Sequence, residues 1–404
     1  MADRLKDSYG PEVAVWVGHQ LAAVLPDLDA SAFAAECLPG YADLELMDRA
    51  RRMAEVMARH LPDDPATAVP LITAALGPVE QGLTGMQPFR YMPFVFYVGQ
   101  HGLGAFEESM LAQYELTKRF TAEFSIRPFL IHHEAATLAR LRQWTNDPDP
   151  NVRRLVSEGT RPRLPWAPRL PAFIADPTPV VALLELLRDD PSEYVRRSVA
   201  NNLNDISKDH PDVVVDLAGR WWADGDEPRR RLVRHGLRTL VKRGDPAALD
   251  VLGHVGADHL VVREVSIDPA DPVIGGRVRI TATVVDTRLS GDGADAGDGA
   301  DAGDGADAAD GADADPAGVD PGSATQEVAV DFVVHFVKAN GSTSPRVFKG
   351  AVRTLAPGGS TVVTRLVSLA QQSTRTHHPG VHRVEVQVNG QRSDAGSFLL
   401  SASH

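Results

Sequence analysis

Between residues 10 and 255, apolar side chains recur every three to four positions, the period of helices that bury one face. Leu44, Met47, Ala50, Met53, Ala54 and Met57 form one such stripe and predict a helix over 44–60, closed by Leu61-Pro62. Met110, Leu111, Tyr114, Leu116, Phe120 and Phe124 predict one long buried helix over 106–124. Pro128 sets its limit, because the residue before a proline avoids helical backbone. After Leu260 the period changes to two. Segments 261–265, 277–285, 327–337, 347–355, 360–369, 381–389 and 396–400 alternate as strands, with turn signals at Asn340-Gly341 and Asn389-Gly390.

A repeat organises the helical part. Asp149-Pro150-Asn151-Val152-Arg153-Arg154-Leu155-Val156 is echoed by Asp190-Pro191-Ser192-Glu193-Tyr194-Val195-Arg196-Arg197-Ser198-Val199, and more weakly by Glu227-Pro228-Arg229-Arg230-Arg231-Leu232-Val233. An Asp before a Pro predicts a helix N-cap followed by the one helical position where proline costs little. Each copy follows a shorter apolar helix, over 135–144, 180–187 and 213–222. Helix pairs of about 40 residues that open this way have the HEAT-like pattern, and neighbours stack to bury their apolar faces. The predicted fold is mainly α: a HEAT-like α-α superhelical array over 1–257, then a small all-β immunoglobulin-like sandwich over 258–404. With a single cysteine, Cys37, the sandwich lacks the Cys–Trp–Cys signature of antibody domains.

Charge is distributed unevenly. The net charge is −13, but residues 292–320 hold ten Asp and no Lys or Arg, so the rest of the chain carries only −3. The Gly/Asp/Ala stretch over 291–323 reads as a disordered insertion between the second and third strands. Residues 1–139 carry −8 and residues 140–243 carry +4, with Arg supplying nearly all of the positive charge. A local basic surface permits contact with a polyanion, because such contacts act within about 10 Å. The N-terminus has no apolar core like that of a signal peptide, and no apolar run is long enough to span a bilayer. A cytoplasmic, monomeric protein with no membrane contact is expected.

The repeat also aligns polar chemistry. Arg197, Asn201 and Asp205 are four residues apart and share a helix face, with Val195, Val199, Leu203 and Ile206 opposite. Arg154 and Glu158 hold the equivalent places in the first copy, and Arg231 and His235 in the third. On residues alone, this face is either a nucleic-acid surface or a solvated ladder of ion pairs. Glu158 just before Gly159 sits at a helix C-terminus, where a carboxylate opposes the helix dipole, and Glu123 before Pro128 is expected in a similar place. Both acids have Arg neighbours in sequence, Arg127, Arg154 and Arg161. Trp166 lies in a loop crowded with Arg and Pro, where an indole face suits a cation. His132-His133 are adjacent and make a poor metal pair. There is no G-x-x-x-x-G-K-[ST], H-E-x-x-H or G-x-S-x-G.

Three blocks carry a resemblance. Glu123-Phe124-Ser125-Ile126-Arg127-Pro128-Phe129, Ser157-Glu158-Gly159-Thr160-Arg161-Pro162-Arg163-Leu164-Pro165-Trp166 and the segment 195–211 resemble the AlkC branch of the HEAT-like-repeat DNA alkylation-repair glycosylases. The likeness spans roughly residues 5–250, and some members of that family carry a C-terminal immunoglobulin-like domain.

The resemblance implies a monofunctional glycosylase that removes 3-methyladenine and related cationic bases from double-stranded DNA, with no metal and no organic cofactor. It implies Glu123, Glu158 and Asp205 as active-site acids, with Trp166 and Arg161 flanking the lesion or its backbone. Arg154, Arg196, Arg197, Asn201 and Asn202 would complete the DNA-binding face. The residue types suit that chemistry: a cationic base leaves without a strong acid, so the protein need only stabilise an oxocarbenium-like sugar and place water. A non-catalytic DNA-binding protein and a protein-binding HEAT scaffold are the competing readings of the same array. In the β domain, Arg346, Lys349, Arg353, Arg375 and Arg383 are candidate DNA contacts or ordinary solubilising charges.

Overall fold

The computed structural model describes residues 5–253, 259–288, 325–371 and 376–402, so the insertion over 291–323 and Arg375 lie outside the described residues. The chain divides into two compact units, residues 1–238 and 239–404. Among the described residues, no helix is long and apolar enough to cross a membrane.

The first unit is helical. It opens with α1 (Pro11–Ala22), α2 (Ala30–Cys37), α3 (Leu46–His60) and α4 (Pro65–Ala75), then α5 (Met92–His101), α6 (Phe106–Thr117) and α7 (Ile126–His132). The paired helices follow: α8 (Glu134–Trp144) with α9 (Pro150–Gly159), α11 (Thr178–Leu187) with α12 (Glu193–Ile206), and α13 (Pro211–Ala223) with α14 (Glu227–Arg243), whose last residues, 239–243, fall in the second unit. The short α10 (Pro171–Ala175) lies between the first two pairs. The α3 stripe buries Ala50, Met53, Ala54 and Met57 completely, against α5. In the repeats, Val152, Leu155 and Val156 on α9 pack with Val195, Val199 and Leu203 on α12.

Two local expectations change. The helix expected over 106–124 ends at Thr117. Phe120 turns back onto Phe89 at a ring separation of 5.0 Å and Phe124 onto Phe96 at 6.0 Å, so tertiary aromatic packing breaks the stripe. A separate helix, α7, then begins at Ile126, and Pro128 is tolerated in its first turn, where the missing N–H has no helical partner to lose. In the second repeat the helix starts at Glu193 with Ser192 as cap, two residues later than Asp190-Pro191 predicts. Asp190 instead accepts the Ser192 N–H and takes both arms of Arg153, at 2.6 and 3.0 Å. Asp149 caps α9 as expected, accepting from the Asn151 N–H at 2.8 Å.

The second unit holds α15 (Pro246–Val251) and a sandwich of antiparallel strands: β1 (Leu260–Asp268), β2 (Arg277–Asp286), β3 (Gln326–Val337), β4 (Thr343–Leu355), β5 (Ser360–Ser368), β6 (Gly380–Val388) and β7 (Gln391–Leu400). One sheet runs β1-β2-β5 and the other β4-β3-β6-β7. Alternation decides the faces: Val278, Ile280, Ala282 and Val284 point inward from β2 to meet Val328, Val330, Phe332, Val334, Val384 and Val386. At the β6–β7 hairpin Asn389 and Gly390 both have positive φ, 43° and 83°, as a two-residue turn of this hand requires.

Candidate active site

The last turn of α9 carries Glu158, which is 5% exposed. Its position opposes the helix dipole, and the structure supplies the compensation. Glu158 Oε1 accepts from Arg161 Nη1 at 2.7 Å and lies 3.4 Å from Arg154 Nη2. Its other oxygen, Oε2, accepts from Ser198 Oγ on α12 at 2.7 Å. Ser157 Oγ donates to Ser198 Oγ at 2.7 Å, so a two-hydroxyl chain ends on the carboxylate.

Each neighbouring guanidinium reaches a second acid. Arg154 Nη1 donates to Glu123 Oε2 at 2.6 Å, and Arg161 Nε donates to Asp205 Oδ2 at 2.8 Å. Lys208 Nζ closes the far end on Asp205 Oδ1 at 2.8 Å. The result is an alternating row: Glu123, Arg154, Glu158, Arg161, Asp205, Lys208. Burial works against the charge on Arg154, but Glu123 and Glu158 outweigh it and hold the group above its ordinary range. Burial likewise opposes the charge on Arg161, and Asp205 and Glu158 overcome it. Alternation in a shielded site lets every charge keep a partner, which is the condition for burying ions at tolerable cost.

A further guanidinium shapes the backbone beneath this row. Arg127, 1% exposed, donates to the carbonyls of Gly159 (3.0 Å), Arg161 (2.8 Å) and Pro168 (2.9 Å). It thereby satisfies the Gly159 carbonyl, which the end of α9 leaves without a helical donor, and ties down two carbonyls of the loop that follows. Burial, with Arg161 nearby, pushes its pKa down to about 10.

The row opens into a cleft of about 340 Å³ at its Glu123 end. Glu123, Arg154, Thr121 and Phe124 line one part of it, and Trp166 and Tyr194 contribute aromatic walls. Trp166 is 61% exposed and has left-handed backbone, φ 65°, unusual for a bulky residue. The Arg154 guanidinium lies over the Tyr194 ring, 5.3 Å from its centroid. Such a cleft offers a carboxylate, a fixed cation and exposed π faces to a planar ligand.

Comparison with known proteins decides the family. The chain is 32% identical to the alkylpurine DNA glycosylase AlkC of Pseudomonas fluorescens, whose structure is bound to DNA containing an abasic-site analogue. The match covers 99% of this chain and 100% of that one, with a TM-score of 0.82. The chain belongs to the AlkC family. It is also 32% identical over 402 residues to the uncharacterised protein YhaZ of Bacillus subtilis, covering 99% of this chain and all of that protein. A family model described as the C-terminal Ig-like domain of uncharacterised protein YhaZ matches residues 317–402.

In this AlkC-family chain the residues singled out from sequence fall into two groups. Glu123, Arg154, Glu158, Arg161 and Asp205 join one network, and Trp166 shares the cleft with Glu123 and Arg154. Arg196, Arg197, Asn201 and Asn202 lie elsewhere. Arg196 donates to the Asp190 carbonyl, and Arg197 is exposed in a separate cleft. Asn201 Oδ1 accepts from Arg238 at 3.1 Å and contacts His235 Nε2 at 3.0 Å, which ties α12 to α14. Asn202 is fully buried and donates to the Ser157 carbonyl at 2.8 Å and Thr160 Oγ1 at 3.1 Å, a brace between α12 and α9. The helix-end argument holds for Glu158 but not for Glu123, which sits in the turn entering α7, near a helix N-terminus. Sequence reasoning missed Ser157, Ser198 and Tyr194. Tyr194 carried a signal, an aromatic in the first turn of a repeat helix, whereas two serines among many carry none.

Proposed function

We propose that this chain is a monofunctional DNA glycosylase that hydrolyses the N-glycosidic bond of cationic alkylated bases, 3-methyladenine and its relatives, in duplex DNA. The observation that carries the reading is the paired row of acids and guanidiniums ending at the Trp166–Tyr194 cleft, in a chain that matches AlkC over its whole length. A base alkylated on a ring nitrogen is already a cation and leaves as a neutral molecule. The barrier therefore lies in the cationic sugar and in the placement of water.

Glu158, with one oxygen fixed by Ser198 and the other by Arg161, is a preorganised negative charge and serves to stabilise the oxocarbenium-like sugar. Glu123 faces the cleft with only its Oε2 bound, by Arg154 and the Thr121 hydroxyl, and we assign it to orienting the attacking water. Asp205 has both oxygens occupied by Arg161 and Lys208, which suits a role in holding Arg161. Trp166 and Tyr194 give the cationic base a π surface. The protein acts as a monomer in the cytoplasm on this reading, and its chemistry uses no cofactor.

The test is release of free 3-methyladenine from methylated duplex DNA in the presence of EDTA, with Glu123→Gln and Glu158→Gln as controls. Release that survives both substitutions at the wild-type rate would overturn the catalytic assignment. DNA binding that responds to salt, without any base release from the unaltered chain, would replace the glycosylase by a DNA-binding protein on the same scaffold.

A further inference from the structure

The repeat makes Arg154, Arg197 and Arg231 equivalent, yet the structure treats them differently. Arg154 is engaged by Glu123 and Glu158. Arg197 and Arg231 are exposed, and among the described residues neither makes a hydrogen bond or an ion pair. Both line a single cleft of about 210 Å³ between α12 and α14, separate from the cleft at Glu123. Arg196 also lines this cleft, already held by the Asp190 carbonyl, and Glu193 is its one carboxylate.

Three guanidiniums and one carboxylate line this concave wall, with Glu227 acting on Arg231 from beside it, and the excess of positive charge favours an anion. The guanidinium fork matches a phosphate in shape and charge. The remaining lining is Ala200, Pro228, Leu232 and His235. None of these is a Trp, Tyr or Phe face on which a base would stack, so the cleft is built for a phosphate group rather than for a nucleobase.

We infer that Arg197 and Arg231 together clamp one backbone phosphate of duplex DNA in the α12–α14 cleft. The inference rests on the DNA reading of the helical array and adds a contact away from the acid row. Because it recognises only the phosphodiester, the contact is independent of base sequence and of damage.

The experiment uses the full chain, its Arg197→Ala, Arg231→Ala and doubly substituted variants, and undamaged duplex DNA of mixed sequence, with affinity measured across a salt series. One shared phosphate predicts that each single variant binds several-fold more weakly on every sequence. The slope of log affinity against log salt falls by about 0.9, the contribution of one phosphate, in the double variant, and by less in either single one, whose remaining guanidinium still meets that phosphate. Additive losses with twice that fall in slope would mean two separate phosphates and would overturn the clamp. An unchanged slope in all three variants would show that the cleft does not meet DNA. A second arm adds inorganic phosphate at fixed ionic strength. Arg197-dependent stabilisation of the fold by free phosphate, with an unchanged DNA slope, would identify a free-anion site instead and equally overturn the clamp. Base release from methylated DNA is followed alongside. Release with an unchanged slope sinks the clamp alone, whereas a reduced slope without any release sinks the glycosylase reading alone.

Discussion

Ser198 on α12 donates its hydroxyl proton to Glu158 Oε2 on α9 at 2.7 Å, and Ser157 in turn donates to Ser198. The contact fixes the plane of a carboxylate whose other oxygen is held by Arg161. A hydrogen bond to a charged group contributes about 1.5–3 kcal/mol, and roughly 1.4 kcal/mol is a tenfold change in rate. Ser198→Ala should therefore slow base release about tenfold or more at unchanged KM, and Ser198→Thr should restore most of it. Glu158→Gln should cost more, on the order of 100-fold, because the charge itself is lost. Single-turnover base release on methylated duplex reads both. An equal fall in DNA affinity and rate for Ser198→Ala would assign the serine to binding instead.

The close approach of α7 and α9 depends on Gly159. A Cβ placed there would meet Ile126 Cγ2 at 2.6 Å, closer than real side chains come. Both atoms belong to well-packed surroundings: Ile126 is fully buried. Gly159→Ala should destabilise the chain by about 1–3 kcal/mol, the usual range for overpacking. Urea unfolding of the two proteins measures this. A paired Ile126→Leu substitution, which removes the Cγ2 methyl at nearly constant volume, should recover part of the loss, and no recovery would point to backbone conformation rather than the clash.

The array was legible in sequence because its signals are local: an Asp-Pro cap, a 3.6-residue stripe and a recurring Val-Arg-Arg. The α9 helix follows directly from them, α12 with its start shifted by two residues, and α14 from the stripe and a weaker copy that opens Glu227-Pro228. What failed was whatever a distant partner decides. Phe120 and Phe124 continue the apolar stripe of α6, yet their rings pack onto Phe89 and Phe96, and the helix stops before them. Asp190 has the sequence of a cap, but Arg153 from the preceding repeat claims it. In the site, the spacing of four places Arg154 beside Glu158 and puts Arg197, Asn201 and Asp205 on one face. Periodicity does not reveal that Asp205 turns to Arg161 while Asn201 turns to α14. Nor does it place Ser198 against Glu158, since that pairing depends on how two repeats stack.

The β sandwich should be acid-sensitive through Glu385. Burial favours its protonated form, but His335, Arg383 and Arg392 overcome burial and hold the carboxyl below its ordinary value of 4.5. A folded-state pKa below the unfolded one means that the charge stabilises the fold at pH values above the ordinary pKa. That contribution is lost as pH falls through the depressed folded-state value. Asp286, held low by Arg288 against burial, acts in the same direction. Melting temperature followed from neutral pH into the acid range should drop below about pH 4.5. Glu385→Gln should melt lower at neutral pH and show a shallower acid decline. An identical acid slope in the variant would remove Glu385 from the account.

Trp166 combines two observations that point away from a stabilising role. A left-handed backbone costs a non-glycine residue roughly 1–2 kcal/mol, and an indole that is 61% exposed gains little from burial. On the proposed function, backbone strain kept at a cleft wall is what a side chain held for ligand contact would show. Trp166→Gly removes both the strain and the ring. It should leave the melting temperature unchanged or raised while lowering base release, with the larger loss for cationic lesions because the π face is gone. Trp166→Phe keeps a weaker face at the same backbone cost and should fall between the two in rate. Thermal melting and release of 3-methyladenine, measured on the same preparations, separate the effects. A marked fall in melting temperature for Trp166→Gly would make the indole a structural anchor of the loop between α9 and α10, and its place in the cleft incidental.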